Sequence, residues 1–174
     1  MKRILTAILI IAAGLAVAQV PGPAKFLGFE VGTDRKVADA KEITDYFWKL
    51  DRTSPRITVK EVGKTTEGRP FIVAFITSET NHAKLESYRE IQQLLADPRK
   101  ISDTKAEELI SRGKTIVMIN CSLHASEIGA SQMAMQLACD LATQNTDDIK
   151  RILDNVILLL IPLHNPDGVQ MVVD

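Results

Sequence analysis

Apolar residues recur along this chain with two periods, and the alternation between them marks out its elements. Ile43, Phe47 and Leu50, with Tyr46 beside them, fall at helical spacing and predict a helix over 37–50 with its aromatic face toward the core. Pro55 ends any continuation. Residues 57–62 alternate apolar and polar as a half-buried strand does, and 71–76 form a more continuously apolar strand. Between them, Gly63 to Pro70 is a glycine-bracketed turn of hairpin length, so the two strands are expected to be antiparallel neighbours. Asn81 is placed to cap a helix reaching Ala96, stopped by Asp97-Pro98, and a second helix over 103–112 is stopped by Gly113. Residues 115–120 are a strand rich in β-branched residues. Residues 126–143 are a helix apolar almost all round, which implies burial against more than one neighbour. A short helix over 147–153 and an apolar strand over 156–161 follow.

A hairpin followed by helix, strand, helix, strand, with continuously apolar strands, implies a sheet covered on both faces. The expected class is α/β: a three-layer α/β/α sandwich with a mixed sheet. The strands over 115–120 and 156–161 should pair in parallel through a right-handed crossover. The residues just after each strand then meet at the carboxyl ends of neighbouring strands, where open α/β sheets bind ligands.

The N-terminus changes the picture only outside the fold. Met1-Lys2-Arg3, an apolar run over 4–17 and Ala16-Val17-Ala18 have the form of a cleavable signal peptide over 1–18. The run is too short to span a bilayer, and no Cys follows it to carry a lipid. Export to a periplasm or the medium is expected, with no membrane partner after cleavage. Residues 19–36, rich in Pro and Gly, read as an extended arm, leaving 37–174 as the domain proper. The chain carries 21 basic and 22 acidic residues, a balance that does not favour nucleic acid. Cys121 and Cys139 are expected to be free and buried: one ends a strand and the other lies in the helix running back along it, on the order of 20 Å away.

Candidate chemistry gathers at the two strand ends. His124-Ala125-Ser126-Glu127 puts an imidazole and a carboxylate three residues apart where a strand gives way to a helix. Neutral imidazole nitrogen and carboxylate oxygen are zinc donors, and the helix start adds free N–H groups and a positive dipole end. A catalytic zinc site takes three protein ligands and keeps an open position for water. His164 is a candidate third ligand, though a hydrogen-bonded loop residue is the commoner reading; His82 reads as a surface residue. Asn165-Pro166-Asp167-Gly168 reads as a tight turn, with Asn165 capping, Pro166 fixing φ and Gly168 allowing positive φ. A supporting role beside the His124 loop is expected for Asn165 and Asp167.

These residues resemble the M14 family of zinc carboxypeptidases. The stretches that carry the resemblance are Gly63 to Arg69 with Pro70 (the family's G-x-T-x-x-G-R turn), His124 to Glu127, and Asn165 to Gly168. The Gly129-Ala130-Ser131-Gln132 continuation and the helix closing on Asp97-Pro98-Arg99 look like the large exported bacterial members. The resemblance implies Zn2+ held by His124 and Glu127, a peptide or protein substrate cut at its C-terminal bond, and a third His ligand and general-base Glu beyond Asp174. It implies that this chain is an incomplete catalytic domain, inactive alone, with the strand over 115–120 left as an apolar edge. Ser126 stands where pancreatic-type members carry Arg, so a substrate-side contact is expected to differ. Two rivals are an M14-like deacylase acting on N-acyl amino acids and a non-catalytic exported binding domain.

Overall fold

The computed structural model describes residues 20–174, so the leader expected over 1–18 lies outside the described residues. The chain enters through α1 (Pro23–Leu27) rather than an extended arm. Pro23 pre-sets the first helical φ and Gly28, at φ 78, closes the turn in the left-handed region. The segment is fastened to the core: Phe26 meets the Tyr46 ring edge-on at 5.2 Å, and Tyr46 Oη donates to the Pro21 carbonyl at 2.9 Å.

α2 (Ala40–Thr53) starts three residues later than its apolar period suggests. Asp39 sets the boundary. Its carboxylate accepts from the Glu42 amide at 2.6 Å while Glu42 Oε2 accepts from the Asp39 amide at 2.9 Å, a reciprocal cap. The helix buries Ile43, Tyr46, Phe47 and Leu50 completely, each removing roughly 1.5–3 kcal/mol worth of apolar surface from water.

β1 (Ile57–Lys64) and β2 (Pro70–Ile76) form the expected antiparallel hairpin, with an irregularity between Glu61 and Gly63 that leaves Val62 exposed. α3 (Glu79–His82) and α4 (Leu85–Ala96) replace the single helix expected from Asn81. Asn81 does not cap, because its amide is used elsewhere. Buried inside α3, it donates to Thr77 Oγ1 and the Leu153 and Asp154 carbonyls, and accepts from Tyr88 Oη. α5 (Asp103–Arg112) is capped by Ser102 and closed at Gly113. β3 (Thr115–Asn120), α6 (Ile128–Thr143), α7 (Asp147–Asn155), β4 (Val156–Ile161) and α8 (Pro166–Val173) complete the chain.

The sheet order is β1-β2-β4-β3, with β2 antiparallel to β1 and β4, and β3 parallel to β4. Side chains alternate across it as the pleat requires. Leu158 and Leu160 join Ile72, Ala74 and Ile76 under α2 and α6, while Ile157 and Leu159 pack with Tyr88, Ile91 and Leu109 of α4 and α5. Three layers result. α6 touches α1, α2 and β2, as its composition requires, yet Met133 stays exposed. Cys121 and Cys139 are buried and free, and burial pushes the Cys121 thiol above its ordinary range. No helix among the described residues is long and apolar enough to cross a membrane.

β3 is an edge strand, and Ile116, Val117 and Met118 remain 37%, 37% and 58% exposed. None of its six residues carries a charge to repel another strand. The chain alone is therefore expected to self-associate with rising concentration, and Met118→Lys to suppress this. Light scattering on both proteins checks it; equal, concentration-independent scattering would remove the edge as the cause.

Candidate metal centre

The site grows out of the β3–β4 pairing. The parallel ladder runs from Thr115 opposite Val156 to Asn120 opposite Ile161. It then continues beyond both strands. The Cys121 amide donates to the Ile161 carbonyl at 2.9 Å, the His164 amide to the Cys121 carbonyl at 2.8 Å, and the Asn165 amide to the Ser122 carbonyl at 3.1 Å. The two loops that carry the sequence motifs are thus bonded to one another, backbone to backbone.

His124 and Glu127 converge. His124 Nδ1 and Glu127 Oε1 share a hydrogen bond at 2.6 Å, and the His124 amide donates to Glu127 Oε2 at 3.1 Å. Both side chains are accessible, 73% and 46% exposed, so an ion arriving from solvent can reach them. Hydrogen bonding from the His124 ring, then from the His124 amide, holds the Glu127 carboxyl below the ordinary carboxylate range. Glu127 lies just before α6 rather than in its first turn, with φ −84 and ψ 45. Its carboxylate is turned back over its own loop.

Ser122, which the motif spacing does not reveal, is the hub of that loop. It is 2% exposed and left-handed at φ 54. Its Oγ donates to the Glu127 carbonyl at 2.8 Å and accepts from the Ser131 amide at 3.1 Å. Ser126 is exposed.

Asn165 to Gly168 is the start of α8, not a free-standing turn. Asn165 Oδ1 accepts from the Gly168 amide at 2.9 Å, and Pro166 occupies the first helical position, where a missing N–H costs nothing. Gly168 is not required for positive φ. A Cβ there would lie 2.5 Å from Asn165 Nδ2 and 3.0 Å from the Ala125 Cβ, so glycine is needed for close approach. Asp167 reaches the hairpin turn rather than the His124 loop. It accepts from Thr65 Oγ1 at 2.8 Å, the Glu67 amide at 3.1 Å and Arg69 Nη1 at 2.7 Å. Burial works to raise its carboxyl, but the hydrogen bonds from Thr65, Arg69 and the Glu67 amide outweigh it and hold it below the ordinary range. Gly68, at φ 78, lets the turn close through Gly68 N–H to Thr65 C=O at 3.0 Å.

His164 packs edge-on against Phe71 at 5.5 Å, its Nδ1 buried without a partner. Among the described residues no three His, Cys, Asp or Glu side chains come close enough to share an ion, so His164 does not complete a triad with His124 and Glu127. His82 is half-buried, its Nε2 enclosed without a partner, and is not the surface residue its neighbourhood suggests.

The family model for peptidase M14, zinc carboxypeptidase, matches residues 43–173. The chain belongs to the zinc carboxypeptidase family. The M14 match takes in the hairpin turn, the His124 loop and the Asn165 helix start together. The fold agrees. Thrombin activatable fibrinolysis inhibitor superposes with a TM-score of 0.57 at 14% identity, covering 80% of this chain and 28% of that one. Carboxypeptidase A from Helicoverpa armigera gives 0.53 at 20% identity, covering 84% and 31%. This M14 chain therefore spans about a third or less of the length of those structures. A probable ribonuclease FAU-1 of Hyperthermus butylicus is 27% identical over 106 residues, 52% of this chain and 22% of its own, a partial likeness that assigns no function. The donors fit zinc as far as they go: an imidazole nitrogen and a carboxylate oxygen, accessible and convergent.

Proposed function

We propose that this chain forms part of the catalytic domain of a zinc-dependent carboxypeptidase that removes residues from the C-terminus of peptides or proteins, with His124 and Glu127 as two of the metal's protein ligands. The observation that carries the reading is the 2.6 Å meeting of His124 Nδ1 with Glu127 Oε1 at the carboxyl ends of two parallel strands, inside the M14 match. Bound zinc supplies a Lewis acid that polarises a carbonyl and lowers the pKa of its water. The chain's own residues then have separable tasks. His124 offers a neutral nitrogen, Glu127 a carboxylate kept ionised by its hydrogen bonds, and Ser126 a small polar group on the exposed rim beside them. A third ligand and a general base are needed in addition, and the described residues do not group them with this pair. The apolar run over 4–17 supports export as the setting.

Zinc titration tests the reading. The chain is expected to bind one zinc ion, His124→Ala to weaken binding by at least about tenfold, and His164→Ala to leave it unchanged. Equal affinity in the chain and His124→Ala would end the proposal; loss in His164→Ala would reassign the third donor.

A further inference from the structure

We propose that Ser122 is a positioning residue that aims the Glu127 carboxylate at His124. Its use in metal binding rests on the zinc reading above, while its geometric role stands on the structure alone. Continued regularly, the first turn of α6 would bond the Ser131 amide to the Glu127 carbonyl four residues back. Instead the Ser122 hydroxyl occupies that place, accepting from Ser131 N–H at 3.1 Å and donating to Glu127 C=O at 2.8 Å. Both capacities of the hydroxyl are used, in a buried position. The Glu127 carbonyl also receives the Ala130 amide at 3.1 Å, so the Ser122 hydroxyl clasps a tight first turn and fixes the backbone of Glu127 at the helix's N-cap. From there, at ψ 45, the Glu127 side chain folds back to take the His124 amide and ring on its two oxygens.

Backbone conformation points the same way. At φ 54 a glycine would sit without strain, whereas serine does not, so the hydroxyl is what the position gains from serine. The Asn165 amide bonds the Ser122 carbonyl at 3.1 Å, fixing the hub to the neighbouring strand end.

The test uses Ser122→Gly, which removes the hydroxyl and relieves the backbone, and Ser122→Ala, which removes the hydroxyl alone. In the metal-free chain, long-range proton–nitrogen NMR of the His124 ring reports whether Nδ1 has a partner. Both variants are expected to lose the bonded Nδ1 signal while retaining the chain's circular dichroism, and to bind zinc about tenfold more weakly. An unchanged ring signal in folded Ser122→Gly overturns the proposal, as does unchanged zinc affinity. If the unsubstituted chain itself binds no zinc, the zinc reading fails, and the ring signal alone decides the role of Ser122.

Discussion

Gly168→Ala is expected to destabilise the chain by about 1–3 kcal/mol and to weaken zinc binding at a residue that touches no ion. The added methyl would lie 2.5 and 2.8 Å from Asn165 Nδ2 and Cγ and 3.0 Å from the Ala125 Cβ. Asn165 cannot swing aside freely, because its Oδ1 caps α8 through the Gly168 amide. Ala125 cannot retreat without moving His124, its chain neighbour, and the loop is tied at Ser122 to the Asn165 amide by a backbone bond. The substitution therefore costs a cap, an overpacked contact, or both. Chemical denaturation reads the first effect and zinc titration the second. A variant that unfolds and binds zinc as the parent does would show that the two loops pack more loosely than their contact implies.

Asp167→Asn is expected to lower stability at neutral pH and to flatten part of its loss in acid. The carboxylate receives Thr65 Oγ1, the Glu67 amide and Arg69 Nη1, and an asparagine would turn an N–H₂ toward at least one of these donors. Because the folded-state pKa of Asp167 is depressed, its contribution is complete above the ordinary carboxylate range. It is lost as the pH falls through the lowered folded value. Glu127, also depressed, adds to the same acid limb and keeps its share in the variant. Midpoints of denaturation measured from neutral to acid pH check this: the two curves should converge on acidification. Parallel curves would mean that Asp167 does not hold the hairpin as an ionised group.

The elements were legible where one side chain's job was local. Phe47 and Leu50 declare α2, and the β-branched run of β3 declares a strand, because periodicity and burial agree there. The start of α2 was readable too, from Asp39 and Glu42 three apart, but the apolar residues Val37 and Ala38 obscure it. Asn81 misleads because a cap and a buried connector use the same amide, and only the tertiary partners Leu153 and Tyr88 decide between them. The His124–Glu127 pair is visible as a spacing, while Ser122, five residues before Glu127, is not. Its function depends on a left-handed backbone and on a partner in the next helix, and neither leaves a trace in residue type. Asp167 was identified as a support, but its target, about a hundred residues earlier in the chain, emerges only when β2 and β4 pair.

The ladder between β3 and β4 does not stop with the strands; it adds rungs at Cys121, His164 and Asn165. A one-residue slip between these strands would turn every side chain to the opposite face and would also separate Ser122 from Asn165. Strand register and the mutual placement of the two loops are therefore specified by a single alignment event. A misaligned molecule would keep His124 and Glu127 together on their own loop, yet part that loop from the Asn165 helix start beside it.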